Sequence, residues 1–542
     1  MTFGDLVMRA GALVQRAVAL TCGLALVAGS AVAAATAAPG AAAAGPTEPN
    51  IVMILTDDQP KGMMDAMPTV QAEIAAKGTT YSNAIVPTSL CCPSRSSLLT
   101  GLYSSQSGVY GNFGPTQGGY GVFKLNGNEQ RTLAAKMRDT DYSTGLFGKV
   151  MNGFKLQPGA PRPMGWDRMV ATVSVGDHYD YNASSDASVQ PLEADQDAPQ
   201  QIKHESQYST PFFGERVTDF IRDVPADKPL FALYAPLAPH SPHQYEAKYA
   251  NSGLSKSILK RDPALYEKNV TDKPFYISYT KKWKKGKKKR WLKTWVNQTK
   301  MLRSVDDQVA EIIETLRQEN RLDNTVLIFT SDNGFHYGQQ RLAFKNTPYP
   351  AATNVDLIVR LPDGPRGVVD NRLVTANIDV SATILKAAGL PNSTSGVPLG
   401  NPINRPGVPL MASRERIERG LGRPAYCGFR TDAAAFIRYA SGEEEYYNLS
   451  KDPAMMKNVR WKKEYKARVS QLTGLARNAC QTVSFDYGPS FDQPFAGVAK
   501  NKKQAKKRTL DAARGKKNPN DKEKDKKKDK GEKQGKKKDK KN

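Results

Sequence analysis

The chain has 542 residues, 78 Lys+Arg against 53 Asp+Glu, a formal net charge of +25, 39% hydrophobic residues and five Cys. That length exceeds one ordinary domain and buries a sizeable core, which excludes a small disulfide scaffold, and no stretch beyond the N-terminus approaches about 18 consecutive apolar residues, which excludes a polytopic membrane protein. The charge alone puts nucleic acid first among candidate partners, although a solvated basic tail gives the same total.

At the N-terminus, Arg9 and Arg16 precede an uncharged run from Ala17 to Ala38, whose apolar part (Val18 to Val27) gives way to Ala31-Val32-Ala33. This is the layout of a secretory signal peptide over residues 1–38, with an uncleaved membrane anchor as the alternative; the weakly hydrophobic second half favours the signal peptide. A secreted or cell-surface protein folds in an oxidising compartment. Of the Cys beyond this run, Cys91 and Cys92 are adjacent, and neighbours in sequence rarely pair. The simplest disulfide joins Cys427 to Cys480.

Four apolar, largely β-branched runs end in chemistry. Ile51 to Leu55 leads to Asp57-Asp58, Thr144 to Phe147 to Gly148-Lys149, Phe231 to Tyr234 to Pro239-His240-Ser241-Pro242, and Thr325 to Phe329 to Asp332-Asn333-Gly334. Uninterrupted apolar strands are covered on both faces, as in a parallel sheet between helices, and such sheets gather ligands beyond the carboxyl ends of their strands. Helices fall between them: Ser304-Val305-Asp306-Asp307 opens a stripe through Val309, Ile312, Ile313 and Leu316, and Asp379 opens another. The fold class is therefore α/β with a mixed or mainly parallel sheet over residues 47–395. A smaller C-terminal α+β unit over 400–495 carries strands at Ala434–Tyr439 and Glu445–Leu449.

Counted by segment, the charge is local. Residues 500–542 hold 21 Lys+Arg against 7 Asp+Glu, and residues 281–293 hold 9 Lys+Arg and no acid, so the remaining body is close to neutral. The tail has almost nothing to bury and is expected to be disordered. Residues 281–293 read as a basic loop, in which Trp283, Trp291 and the following Trp295 suit sugar stacking or polyanion binding as readily as a solvated loop. No nucleic-acid site is expected.

Brought together, Asp57, Asp58, Asp332 and Asn333 form an all-oxygen set, which suits Ca2+ or Mg2+ rather than zinc. Each pair taken alone reads more readily as a helix cap or a turn than as a metal site.

The most specific segment is Cys91-Cys92-Pro93-Ser94-Arg95-Ser96-Ser97-Leu98-Leu99-Thr100-Gly101. It resembles the signature of the type I sulfatases, alkaline-phosphatase-like α/β enzymes in which the first Cys is converted to formylglycine (3-oxoalanine) by a separate generating enzyme. The resemblance covers roughly residues 48–490. It implies that Asp57, Asp58, Asp332, Asn333 and the modified Cys91 hold a Ca2+, that Arg95, Lys149 and Lys345 bind the sulfate, and that His240 protonates the leaving alcohol. Many arylsulfatases have a His two residues after the Lys149 position, where this chain has Met151 followed by Asn152, and this spelling, with Gly165-Trp166 and Ala238 to Pro242, is similar to the N-acetylglucosamine-6-sulfatases and heparan sulfate endosulfatases. His336 has two readings, substrate contact or support of the metal site. The implied substrate is a sulfated carbohydrate, with a phosphonate or phosphodiester hydrolase as the alternative enzyme. A catalytically silent polyanion-binding surface protein is the alternative from another class. The Lys-rich loop and tail would then hold a polyanion or an anionic cell surface.

Overall fold

The computed structural model describes residues 48–114, 118–155, 162–172, 178–179, 181–185, 200–204, 207–413 and 423–480. The expected signal peptide, the Lys-rich tail and the end of the expected C-terminal unit lie outside them. Among the described residues no helix is long and apolar enough to cross a membrane.

Ten strands form one sheet in the spatial order Val368–Asp370, Thr79–Tyr81, Leu357–Arg360, Thr325–Ser331, Asn50–Thr56, Leu230–Ala235, Ser143–Gly148, Arg168–Thr172, Tyr181–Ser185, Gln200–His204. The five from Thr325–Ser331 to Arg168–Thr172 run parallel, and antiparallel strands flank them on both sides. The central strand shows why the apolar runs do not alternate with polar residues. Ile51, Met53 and Leu55 enter a core shared with Leu98, Leu99, Val380 and Ile384 on one face. Val52 and Ile54 enter a second core with Phe213, Val217, Val305, Val309 and Ile312 on the other. Each fully buried aliphatic side chain contributes about 1.5–3 kcal/mol. The first face is covered by helices Cys91–Thr100 and Ile378–Ala387, the second by Ser209–Asp223 and Lys285–Gln318.

The last of these corrects the expectation of a basic loop. The helix begins at Lys285, not near Ser304, and runs 34 residues. Its apolar stripe extends upstream through Leu302, Trp295 and Trp291 at spacings of three, four and seven, so the Trp residues are core side chains rather than a sugar platform. Trp291 packs on Phe335 and Phe344, and Trp283 donates its indole N–H to Arg341 O at 3.0 Å. Lysines are good helix formers, and they hid the stripe by occupying the positions between.

A four-stranded antiparallel sheet, Val408–Ala412, Tyr426–Arg430, Ala434–Tyr439 and Glu444–Asn448, carries helix Lys466–Ala479. The disulfide Cys427–Cys480 ties this helix end to the second strand across a 53-residue separation. Replacing both by Ser is expected to lower unfolding stability by about 2–4 kcal/mol, read as a reduced denaturation midpoint; an unshifted midpoint would mean that the bridge constrains neither state.

Candidate active site

Four parallel strands end side by side, and backbone bonds stitch their extensions together. Asp57 N donates to Ala238 O at 3.2 Å, Asp332 N to Thr56 O at 3.0 Å, and Lys149 N to Ala235 O at 2.8 Å. Gly148 is required here: its φ is +116°, and a Cβ would meet Ala235 O at 2.0 Å. Asp58 turns into the left-handed region (φ 67°), which aims its N–H at Asp332 Oδ1, 3.1 Å away. The carboxylates of Asp57, Asp58 and Asp332 and the Cys91 sulfur each present an atom within 4.8 Å of the others.

Cys91 opens helix Cys91–Thr100. Its N-cap, Leu90, supplies no side-chain acceptor; instead Asn112 Oδ1 accepts the N–H of Cys92 at 2.9 Å. Cys91 Sγ lies 3.5 Å from Asp57 Oδ1 and 2.7 Å from Lys345 Nζ. One turn on, Arg95 donates from Nε to Asp332 Oδ2 at 2.8 Å and from Nη1 to Lys149 O at 2.6 Å. Lys149 pairs with Asp57 Oδ2, and Lys345 with Asp58 Oδ1. Lys345 sits on a loop whose flanking residues, Phe344 and Asn346, both have positive φ. Bonds from Asn346 N to Ser89 O and between Ser89 Oγ and Thr347 hold that loop against the segment preceding Cys91.

Burial and charge set the ionisation. Burial raises the Asp57 carboxyl, but Lys149, His240, Arg95 and Lys345 outweigh it and hold the group well below the usual carboxylate range. Asp332 moves the other way, raised by burial and by the charge of Asp57 despite Arg95. Lys149 and Lys345 stay protonated because the carboxylates overcome burial. Burial, then Asp57, pushes the Cys91 thiol up far enough to keep it protonated near neutrality, so an unmodified thiol here is a poor nucleophile. Cys92 packs into the sheet core, its thiol pushed up to about 11 by burial.

His240 is the more open member, with 18% of its side chain exposed, Nε2 3.8 Å from Asp58 Oδ2 and Nδ1 2.7 Å from Ser241 O. Two residues that the sequence did not single out fix its loop: Gln298 Nε2 donates to Pro239 O at 3.0 Å, and His178 Nε2 lies 2.9 Å from His240 O. No local signal marks either, since each acts across more than fifty residues. Asn152 is buried beside Cys92, with its N–H on Cys92 Sγ at 3.2 Å.

Of the two readings of His336, its surroundings favour support over substrate contact. The ring is fully buried and bonds through Nε2 to Thr347 Oγ1 at 2.7 Å, so it supports the loop of Lys345. Burial and Arg423 lower its pKa to about 3. The unfolded chain then binds a proton that the folded chain refuses between about pH 6.5 and 3, and stability falls with pH across that window. His336→Gln is expected to shrink the loss between pH 7 and pH 5 by about 2 kcal/mol, measured by urea unfolding at both values. An unchanged pH dependence would show that the ring is not held neutral.

Among the described residues, the buried polar atoms of the site without a hydrogen-bond partner include Asn152 Oδ1, Asn333 Oδ1 and Arg95 Nη2, the last lying 3.6 Å from Asp57 Oδ2. Unpaired groups of this kind cost free energy unless a ligand meets them. Asn333 donates from Nδ2 to Asp58 Oδ1 at 2.6 Å, which leaves its carbonyl oxygen beside the three carboxylates. Three carboxylates and an amide oxygen are hard donors of the kind that Ca2+ or Mg2+ takes, although His240 also offers a nitrogen within 4.8 Å of Asp57 and Cys91.

The family model for sulfatases matches residues 49–390. The chain belongs to the sulfatase family. The chain is 30% identical over 391 residues to the N-acetylglucosamine-6-sulfatase of Homo sapiens, covering 64% of the chain and 62% of that relative. It is 27% identical over 381 residues to a Drosophila melanogaster protein named as an extracellular sulfatase, covering 68% and 32%. The sulfatase thus spans less than two thirds of either relative. Its fold matches a solved structure described as in complex with its substrate D-glucosamine-2-N,6-O-disulfate, with a TM-score of 0.65 at 20% identity, over 82% of this chain and 100% of that one.

Proposed function

We propose that the protein is a secreted sulfatase that hydrolyses the 6-O-sulfate of glucosamine or N-acetylglucosamine units in sulfated glycans, with Cys91 converted to formylglycine. The observation that carries this reading is the place of Cys91: a buried thiol too basic to act as itself, within 2.7 Å of a lysine and beside three carboxylates. The names of the relatives support the substrate class.

Arg95, Lys149 and Lys345 are three fixed cations matched by Asp57, Asp58 and Asp332, so a bound divalent cation leaves the site net positive for an anionic ester. Asp57, Asp58, Asp332 and Asn333 would hold that cation, which when bound polarises the sulfate and the attacking oxygen. The hydrated aldehyde at position 91 supplies two hydroxyls on one carbon, one to attack sulfur and the other to expel sulfate by losing its proton and restoring the aldehyde. Asp332, raised by burial and by the charge of Asp57, would take a proton from the attacking hydroxyl. His240 projects from the open side, where it protonates the departing sugar alcohol. Arg95 Nη2 and Asn152 Oδ1 meet the ester's polar atoms.

The test compares purified protein on glucosamine 6-sulfate, an aryl sulfate and an aryl phosphodiester, with mass spectrometry of the peptide spanning residues 80–102. The reading expects preferential sulfate-ester hydrolysis, loss of turnover on chelation with recovery in Ca2+, and a peptide about 18 Da lighter than its Cys form because the thiol has become an aldehyde. Dominant phosphodiesterase activity or an unmodified peptide would sink it.

A further inference from the structure

A lysine-lined groove lies along the N-terminal turns of helix Lys285–Gln318. Lys285, Lys288, Lys289 and Leu292 form one wall of a groove of about 580 Å³, and Lys256 and Lys260 line the other; no carboxylate lines it. The arrangement opposes helix stability. No acidic residue stands in the first turn of this helix, its lysines face the positive end of the helix dipole, and Lys285 and Lys289 repel one another at the i,i+4 spacing. Neighbouring lysines are nevertheless held in place: Lys288 Nζ sits 4.6 Å from the Tyr266 ring centroid and Lys287 Nζ 3.9 Å from that of Trp283. An anionic ligand in the groove relieves both the repulsion and the opposed dipole.

Both walls lead to the active site. Along the helix, Trp291 packs on Phe344, the half-exposed neighbour of Lys345, and Gln298 bonds to the carbonyl of Pro239 beside His240. Lys288 and Gln298 are ten residues apart, about 15 Å of helix. The opposite wall follows from His240 along the same helix, fixed by Asn297 Nδ2 to His243 O at 3.4 Å and by Leu254 N to Thr299 Oγ1 at 3.0 Å.

We infer that this groove binds sulfated sugar units of a polymer whose cleavable sulfate lies in the active site, so the enzyme prefers oligosaccharides to monosaccharides. The inference rests on the sulfatase reading for its substrate class.

The test uses the full chain, with Lys285→Glu, Lys288→Glu and Lys289→Glu combined. A control reverses three lysines of the C-terminal segment, Lys457, Lys462 and Lys466. For a heparin octasaccharide the groove variant is expected to raise KM about tenfold with kcat retained, and to weaken the salt dependence of KM. Turnover of glucosamine 6-sulfate is expected to stay within about twofold of the parent, and the control to leave both substrates unchanged. An unchanged octasaccharide KM, or an equal rise in the control, overturns the inference. Calorimetric binding of the octasaccharide keeps the two readings separable: a parent that hydrolyses neither ester refutes the sulfatase, while the groove still stands or falls on a tenfold loss of affinity in the groove variant alone.

Discussion

Cys91→Ala is expected to abolish turnover, by at least about 10⁴-fold, while the protein still folds. The substituted group is 1% exposed and small, so its removal costs little packing, but on the proposed reading it carries the atom that attacks a sulfate held by Lys345, Lys149 and Arg95. Steady-state kinetics with a thermal melt separates loss of chemistry from loss of fold. The neighbouring residue supplies the control. Cys92 packs in the sheet core, so Cys92→Ala is expected to lose about 1 kcal/mol of stability and to retain most of the activity. The reverse outcome, an active Cys91→Ala and an inactive Cys92→Ala, would place the nucleophile one residue later.

The largest loss of stability is expected from Arg95→Met. The guanidinium is 1% exposed and answers three groups at once: Asp332 at 2.8 Å, the Lys149 carbonyl at 2.6 Å and Asp57 at 3.6 Å. Methionine fills the volume but leaves the Asp332 carboxylate buried beside Asp57 without its nearest cation, which costs about 3–5 kcal/mol. Protonation of Asp332 removes the charge that lacks a partner, and Arg95 is one of the groups that lower its pKa. The deficit is therefore expected to be largest near pH 7 and to shrink toward pH 5, measured by denaturant unfolding at both values. A pH-independent deficit would mean that lost packing, not the unpaired carboxylate, accounts for it.

The strands and the groups at their ends were legible because the signals are local. Ile51 to Leu55 is apolar at every position, which only a strand covered on both faces tolerates, and Asp57-Asp58 follows it directly. The Cys91 motif was legible for the same reason. Reading Trp283, Trp291 and Trp295 as a sugar platform failed because composition was weighed before period. At spacings of four and seven, Trp291 and Trp295 continue the stripe of Leu302 and Val305, and the core they meet comes from residues 335–344. His336 kept two readings for a related reason: proximity to Asp332 and Asn333 in sequence says nothing about which way a ring turns, and it turns inward onto Thr347.

Taken alone, the sequence determined the fold class, the disulfide pairing, the family motif and the all-oxygen quartet of three Asp and one Asn, all carried by patterns within a few residues or by elimination among five Cys. Only the tertiary structure decided how these groups act on one another. Lys345 reaches Cys91 across 254 residues and Arg95 reaches Asp332 across 237. The ionisation of Asp57, Asp332 and Cys91 depends on such long-range charges and on burial, neither of which exists in the extended chain. The basic run changed most: its charge was evident from composition, but its helical form and its facing wall at Lys256 and Lys260 depend on packing against the sheet.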